Sequence, residues 1–329
     1  MSPGSQGGNS LPGTAGDCHD QCVLDAVGVR IRWPELPAAV RARVEETIGG
    51  GPVVEALSQA GGFSPGTADR VRTASGRRAF VKAVSPQINS QSAELARQEI
   101  RITAALPERA PTPRMLGGFD DGDWVVLVLE DIDGVHPRTP WVASEVDAAV
   151  TGLRELAAAL TPAPLTDAPR VADQLAYDFA GWDKVAADPP ADLDPWAAGH
   201  LPRLRSAAAR GLAAVRTGAT LVHCDIRADN ILIGADGRMI FVDWPWGCIG
   251  PDWLDRLLLA INVLVHGGDP ERALAGIDPA TATDVVAAIA GLFHHVYRLP
   301  PPPGIPTVRA FQKAQADALL PWLRERRLT

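Results

Sequence analysis

Residues 221–244 read LVHCDIRADNILIGADGRMIFVDW, and the polar residues of this stretch decide the fold. Two apolar runs, 231–233 and 239–242, flank Gly234–Ala235–Asp236–Gly237, which has the chemistry of a hairpin turn. A buried hairpin does not favour carboxylates or side-chain amides, yet Asp225, Asn230 and Asp243 bracket this one. With a four-residue loop, Ile233 faces Arg238, Ile231 faces Ile240 and Asn230 faces Phe241. Asp243, two residues beyond Phe241, then shares the face of Asn230 at the open end. An amide and a carboxylate oxygen, with no Cys or His, are hard donors. They suit Mg²⁺ completed by water and substrate phosphates. Asp225 begins the loop feeding this strand and reaches the same space without being committed to a metal. A carboxylate so placed can accept a proton from an attacking hydroxyl. One base and two metal ligands are what phosphoryl transfer requires, because its transition state needs positioning and charge neutralisation.

Composition narrows the alternatives. The chain has 329 residues, a formal charge of −8 and a hydrophobic fraction of 46%. That charge argues against nonspecific nucleic-acid binding, since phosphates would be repelled. It suits a cationic small molecule. Four cysteines (Cys18, Cys22, Cys224 and Cys248) are too few for a disulfide framework. CHDQC at 18–22 has no second ligand pair at matching spacing, so no metal site is read there. The first residues lack a basic n-region and an apolar h-region, and no apolar run approaches membrane-spanning length. The expectation is a cytoplasmic protein, monomeric or dimeric, with no nucleic-acid or membrane partner.

Residues 1–20 are rich in Gly, Ser and Pro and read as a disordered tail. AAVRARVEETIG reads as a short helix. RVRTA and RRAFVKAV read as a hairpin through Ser75–Gly76, and RMLGGFD and DWVVLVLE as strands joined by Asp121–Gly122–Asp123. SAELARQEIRITAAL reads as a helix with Ser92 as N-cap. Five helical segments follow the polar connector DIDGVHPRTPW. The fold class is therefore α+β, with two lobes. Residues 21–130 form a small antiparallel-sheet lobe with one embedded helix, and residues 131–329 a larger, mainly helical lobe.

Lys82 lies within the apolar run AFVKAV, as either an edge residue reaching solvent or a functional cation. The next helix decides between them. Leu95, Glu99, Ile102 and Leu106 make one stripe, so Glu99 faces inward and needs a partner. Glu94 lies off the stripe, near Arg97 and Arg101, and reads as solvated. Lys82 and Glu99 are the expected ion pair. GGFSPG at 61–66 allows close backbone approach to phosphates and is not followed by the Lys–Ser/Thr of a Walker loop.

HCDIRADN (223–230) and IFVDW (240–244) resemble the aminoglycoside phosphotransferase family, small-molecule kinases with a protein-kinase-like two-lobe fold. The resemblance runs in order over about residues 55–325, with its strong anchors at 223–255. It implies Asp225 as catalytic base, Asn230 and Asp243 as Mg²⁺ ligands, and His223 as a structural residue of the loop. Cys224 stands where the family has glycine, which bears on the loop backbone. The resemblance puts Lys82 and Glu99 at the lysine–glutamate pair, and Gly62 and Ser64 in the nucleotide-positioning loop. The adenine-contacting backbone would be the Glu130 carbonyl and the Ile132 amide. Asp255, five after Gly250, would brace the catalytic loop. Asp178 and Asp183 are candidate acceptor contacts.

The implied activity moves the γ-phosphate of ATP or GTP to a hydroxyl of a small molecule. The acceptor is an aminoglycoside or related antibiotic, giving resistance by inactivation, or else a sugar or amino alcohol of primary metabolism. A non-catalytic pseudokinase-like nucleotide binder is the alternative from another class. A protein substrate is disfavoured, because no long activation segment or Ala-Pro-Glu signature is present.

Overall fold

The structure, a computed structural model, describes residues 30–59, 65–302, 305–326 and 328. The predicted tail, Cys18, Cys22 and the loop residues Gly61, Gly62 and Ser64 lie outside the described residues. After a 3-10 turn at Trp33–Glu35, the chain runs α1 (Ala38–Ile48), β1 (Val53–Ser58), β2 (Thr67–Thr73), β3 (Arg78–Val84), α2 (Ser90–Ala105), β4 (Met115–Asp120) and β5 (Val125–Leu129). The connector holds β6 (Gly134–Val135). It leads to α3 (Ala143–Ala159), α4 (Val171–Phe179), α5 (Gly181–Ala187) and α6 (Pro195–Ala214). Then come β7 (Thr220–Val222), β8 (Ile231–Gly234), β9 (Met239–Phe241) and β10 (Cys248–Gly250). The remaining helices are α7 (Leu254–Val265), α8 (Glu271–Leu274), α9 (Pro279–Val296) and α10 (Val308–Arg324).

The first lobe is a five-stranded antiparallel sheet in the order β1-β2-β3-β5-β4. Alternation along β3 sends Val81 and Ala83 to one face and Lys82 and Val84 to the other. The first face is covered by Val40, Val44 and Ile48 of α1, one helical stripe, together with Trp33 and Leu36. The second packs Val84 and Val125 against Ala93, Ala96 and Ile100 of α2. The sheet is thus flanked by two helices, where the sequence suggested one embedded helix. α1 was legible as a helix; its role as a cover was not. The N-cap of α2 is Asn89 rather than Ser92. The Asn89 side chain accepts from the Ser92 N–H at 2.8 Å, so Ser92 is already the third helical residue.

The second lobe is built around α9, which is buried along most of its length from Ala282 to Gly291 and carries no one-sided apolar stripe. Small residues let neighbours approach it closely. A Cβ on Gly181 would sit 2.1 Å from the Gly291 backbone, so α5 and α9 cross glycine on glycine. Trp182 fills the space beside that crossing and donates its indole N–H to the Ala287 carbonyl. β6 pairs with β8, so the connector between the lobes is stitched directly to the 221–244 hairpin. His136 adds a contact from the same connector to the Ile231 carbonyl at 2.9 Å.

Candidate active site

β7 delivers the chain into a loop held from two sides. Asp255, in the first turn of α7, accepts from the N–H groups of His223 (2.8 Å) and Cys224 (3.0 Å). The buried His223 ring spans the loop. The Asp225 N–H donates to Nδ1 at 3.2 Å, so Nε2 carries the proton and donates to the Val242 carbonyl at 2.9 Å. Burial lowers the His223 pKa and keeps the ring neutral. Cys224 adopts φ +66°, the left-handed region that glycine enters freely. Cysteine holds that conformation at a cost of about 1–2 kcal/mol. The neighbouring Cys248 thiol on β10, together with burial, pushes its pKa up.

Asp225 sits at the centre of a charged cluster. Asn230 donates from Nδ2 to the Asp225 carbonyl (2.8 Å) and to Oδ2 (3.0 Å). Arg227 Nη1 lies 3.1 Å from Oδ2 and 3.3 Å from Oδ1. The same guanidinium grips Asp229 with Nε (2.9 Å) and Nη2 (2.8 Å). Burial pushes the Asp225 carboxyl up to about 6; the Asp229 and Asp243 charges add to the rise and Arg227 opposes it. The Asp225 side chain keeps 25% of its surface exposed, enough for a ligand to reach it.

The hairpin register differs from the sequence expectation. Ile231 pairs with Phe241, Leu232 with Ile240 and Ile233 with Met239, one residue off the expected alignment. Gly237 at φ +79° is the reason, since it closes a three-residue loop between Gly234 and Arg238. Strand alternation therefore does not bring Asn230 and Asp243 together. Asn230 ends a 3-10 turn, Ala228–Asn230, and Asp243 leaves β9 with φ +70°. Their backbones are kept adjacent by the Val242 N–H donating to the Asn230 carbonyl at 3.0 Å.

Lys82 reaches into the same cluster. Its Nζ lies 2.7 Å from Glu99 Oε1 and 2.5 Å from Asp243 Oδ1. Glu99 Oε1 also accepts from the Trp244 N–H at 3.3 Å, tying α2 to the segment after Asp243. Burial alone would lower the Lys82 pKa, but the Asp243 and Glu99 charges outweigh it and hold the ammonium above its ordinary value. Burial would raise Asp243, and the Lys82 charge beside it wins, leaving that carboxylate below its usual range. Lys82 retains 23% and Asp243 35% side-chain exposure, so both are reachable from the cleft.

At the connector, neither the Glu130 carbonyl nor the Ile132 amide is hydrogen-bonded among the described residues. Asp131 between them is clamped by Arg70 Nε (2.6 Å) and Arg78 Nε (2.7 Å). Phe80 shares the face of Lys82 one pleat nearer the connector, opposite Leu129. Two acceptor candidates stand apart from this cluster. Asp183 pairs with Arg205 at 2.5 Å on an exposed surface. Asp178 is raised by burial, with Lys184 as its nearby charge.

Arg227 and Phe80 were not singled out in the sequence. An arginine two residues from each of two aspartates is the signal that could have found the first. The i, i+2 spacing from Lys82 could have found the second.

A lysine paired to a helix glutamate in a five-stranded lobe, facing a loop with an aspartate and an asparagine five residues on, defines a kinase-like phosphotransferase. The family model described as the phosphotransferase enzyme family (APH) matches residues 60–278, so the chain belongs to that family. It is a small-molecule kinase that phosphorylates hydroxyl groups. No curated protein sequence matches it. Among solved structures, an aminoglycoside phosphotransferase from Alicyclobacillus acidocaldarius is similar at 15% identity and TM-score 0.54. That match covers 88% of this chain and 96% of the other. A thermostable mutant of aminoglycoside phosphotransferase APH(4)-Ia, in ternary complex with ADP and hygromycin B, matches at 14% identity and TM-score 0.57, covering 87% and 98%. Choline kinase LicA from Streptococcus pneumoniae matches at 14% identity and TM-score 0.54, covering 85% and 97%.

Proposed function

We propose that this chain transfers the γ-phosphoryl group of ATP or GTP to a hydroxyl of an aminoglycoside or related antibiotic, and so inactivates it. The observation that carries the reading is the reachable Asp225 carboxylate, set beside Asn230 and within one charged cluster with Asp243 and Lys82. Asp225 takes the proton of the acceptor hydroxyl as its oxygen bonds to phosphorus and the nucleoside diphosphate leaves. Lys82, held by Glu99, grips the α- and β-phosphates. Phe80 offers its ring to the base, and the Glu130 carbonyl and Ile132 amide offer hydrogen bonds to its edge.

The donor chemistry fits Mg²⁺. Asn230 Nδ2 is taken up by Asp225, which leaves its Oδ1 to accept, and Asp243 supplies a carboxylate. Mg²⁺ held by Asn230 and Asp243 would neutralise charge on the phosphates.

The charge of −8 and the aminoglycoside phosphotransferases among the similar structures support a cationic acceptor. A choline kinase and a fructosamine-3-kinase of comparable similarity support a second reading, a sugar or amino-alcohol acceptor. A coupled ADP-release assay over aminoglycosides, amino alcohols and sugars separates them. The proposal expects acceptor-stimulated, Mg²⁺-dependent turnover with at least one aminoglycoside. Turnover with a metabolite alone would replace it.

A further inference from the structure

Arg227 belongs to none of the roles assigned above, yet it is among the most tightly held side chains in the cleft. Its side chain is only 15% exposed, and its guanidinium meets two carboxylates at once. The grip on Asp229 is bidentate, which fixes the plane of the fork and the direction of the remaining nitrogen. That nitrogen, Nη1, points at Asp225. On its other side the guanidinium carbon lies 5.5 Å from the centre of the Phe311 ring on α10. The catalytic loop is thereby joined to a helix at the end of the chain, 84 residues beyond Arg227 in sequence.

The contacts on Asp225 are unequal. Oδ2 is engaged by Asn230 Nδ2 at 3.0 Å and by Arg227 at 3.1 Å. Among the described residues Oδ1 has only the longer Arg227 contact at 3.3 Å. The two shorter contacts fall on Oδ2, which leaves Oδ1 the less engaged oxygen of the carboxylate. A base that must accept a proton from a substrate hydroxyl needs one oxygen left available and its rotation stopped.

We infer that Arg227 is a positioning residue for phosphoryl transfer: anchored by Asp229 and Phe311, it holds the Asp225 carboxylate chiefly through Oδ2, so that Oδ1, the less engaged oxygen, meets the acceptor hydroxyl. The inference rests on the proposed role of Asp225. It predicts a defect in turnover, because a displaced base costs about 10²-fold in rate while the nucleotide-binding groups stay in place.

The test measures kcat, nucleotide KM and Mg²⁺–nucleotide Kd for Arg227→Met, Arg227→Lys and Arg227→Ala. The expected result is a loss of about 10²-fold in kcat for Met and Ala, with nucleotide KM and Kd within about threefold of wild type. Lysine should recover little, since it cannot form the fork. Millimolar guanidinium ion should restore at least tenfold to Arg227→Ala, and an equal concentration of sodium chloride should not. A kcat within threefold of wild type, a loss that follows nucleotide affinity, or a folded Arg227→Ala that guanidinium does not rescue would each overturn the inference. Should the Arg227 variants fail to fold, Asp229→Asn reads the same point. It keeps Arg227 and removes its anchor, so kcat falls at unchanged nucleotide affinity, and full activity there is equally fatal. A wild-type chain inactive on every acceptor defeats the phosphotransferase reading itself. An active wild type with an equally active Arg227→Met defeats only this inference.

Discussion

The catalytic loop and the lysine end of the cleft are built by opposite means. Most contacts of Asp225 come from within five residues: His223, Arg227 and Asn230. From outside, the loop is braced by Asp255, by Val242 and by the Asn262 side chain, which accepts from the Ala228 N–H at 3.1 Å. Lys82, by contrast, meets Glu99 17 residues away and Asp243 161 residues away. The first arrangement is set by local turns and survives any small movement of the lobes. The second exists only while β3, α2 and the end of β9 are packed together. The geometry around Asp225 is thus a property of one loop, and the contacts of Lys82 a property of the whole fold.

Variants at the loop should separate chemistry from binding. Asp225→Asn is expected to have the largest effect, a loss of about 10²–10⁴ in kcat, with Mg²⁺–nucleotide affinity retained. Steady-state kinetics beside a nucleotide titration checks it, and a kcat within a few fold of wild type would remove Asp225 as the base. Next in size, Asp243→Ala should abolish the Mg²⁺ dependence of nucleotide binding, and Asn230→Ala should weaken it. Titrating nucleotide with and without Mg²⁺ reads this directly, and an unchanged metal effect in Asp243→Ala argues against a metal there.

What was legible in the sequence follows the same division. Asp225, Asn230 and Asp243 stood out because carboxylates and an amide beside apolar runs conflict with their surroundings. Glu99 stood out for the same reason on a helical stripe, and the structure brings it to Lys82. Conflicts of this kind mark positions; they do not give backbone angles. The positive φ of Asp243 and the three-residue hairpin loop both depend on single dihedral choices, so the register came out one residue off. β7 and β10, of three residues each, are too short to show any period. Arg227 was passed over because an arginine between two aspartates reads equally well as a solvated surface cluster.

Smaller effects test how the loop is braced. Asp255→Ala strands the N–H groups of His223 and Cys224, costing about 1–3 kcal/mol for each group left unpaired and buried. Thermal melts should show a clear drop in Tm, and an unchanged Tm would mean the loop holds its shape without that brace. Least of all, Cys224→Gly should keep kcat within about threefold, because glycine adopts φ +66° without strain. Losing more than tenfold would give the thiol a role that the backbone argument does not.

The central claim is that the assembled region is one unit, in which Lys82 serves phosphoryl transfer only while Glu99 holds it. A double-mutant cycle on Lys82→Met and Glu99→Gln tests it most directly. Each variant alone should lower kcat/KM substantially, because under the proposed role Lys82 grips the phosphates only while Glu99 holds it. If the pair acts as one unit, the double variant should cost much less than the sum of the two in free energy. Losses that simply add would show that Lys82 and Glu99 work apart, and would contradict the assembled site.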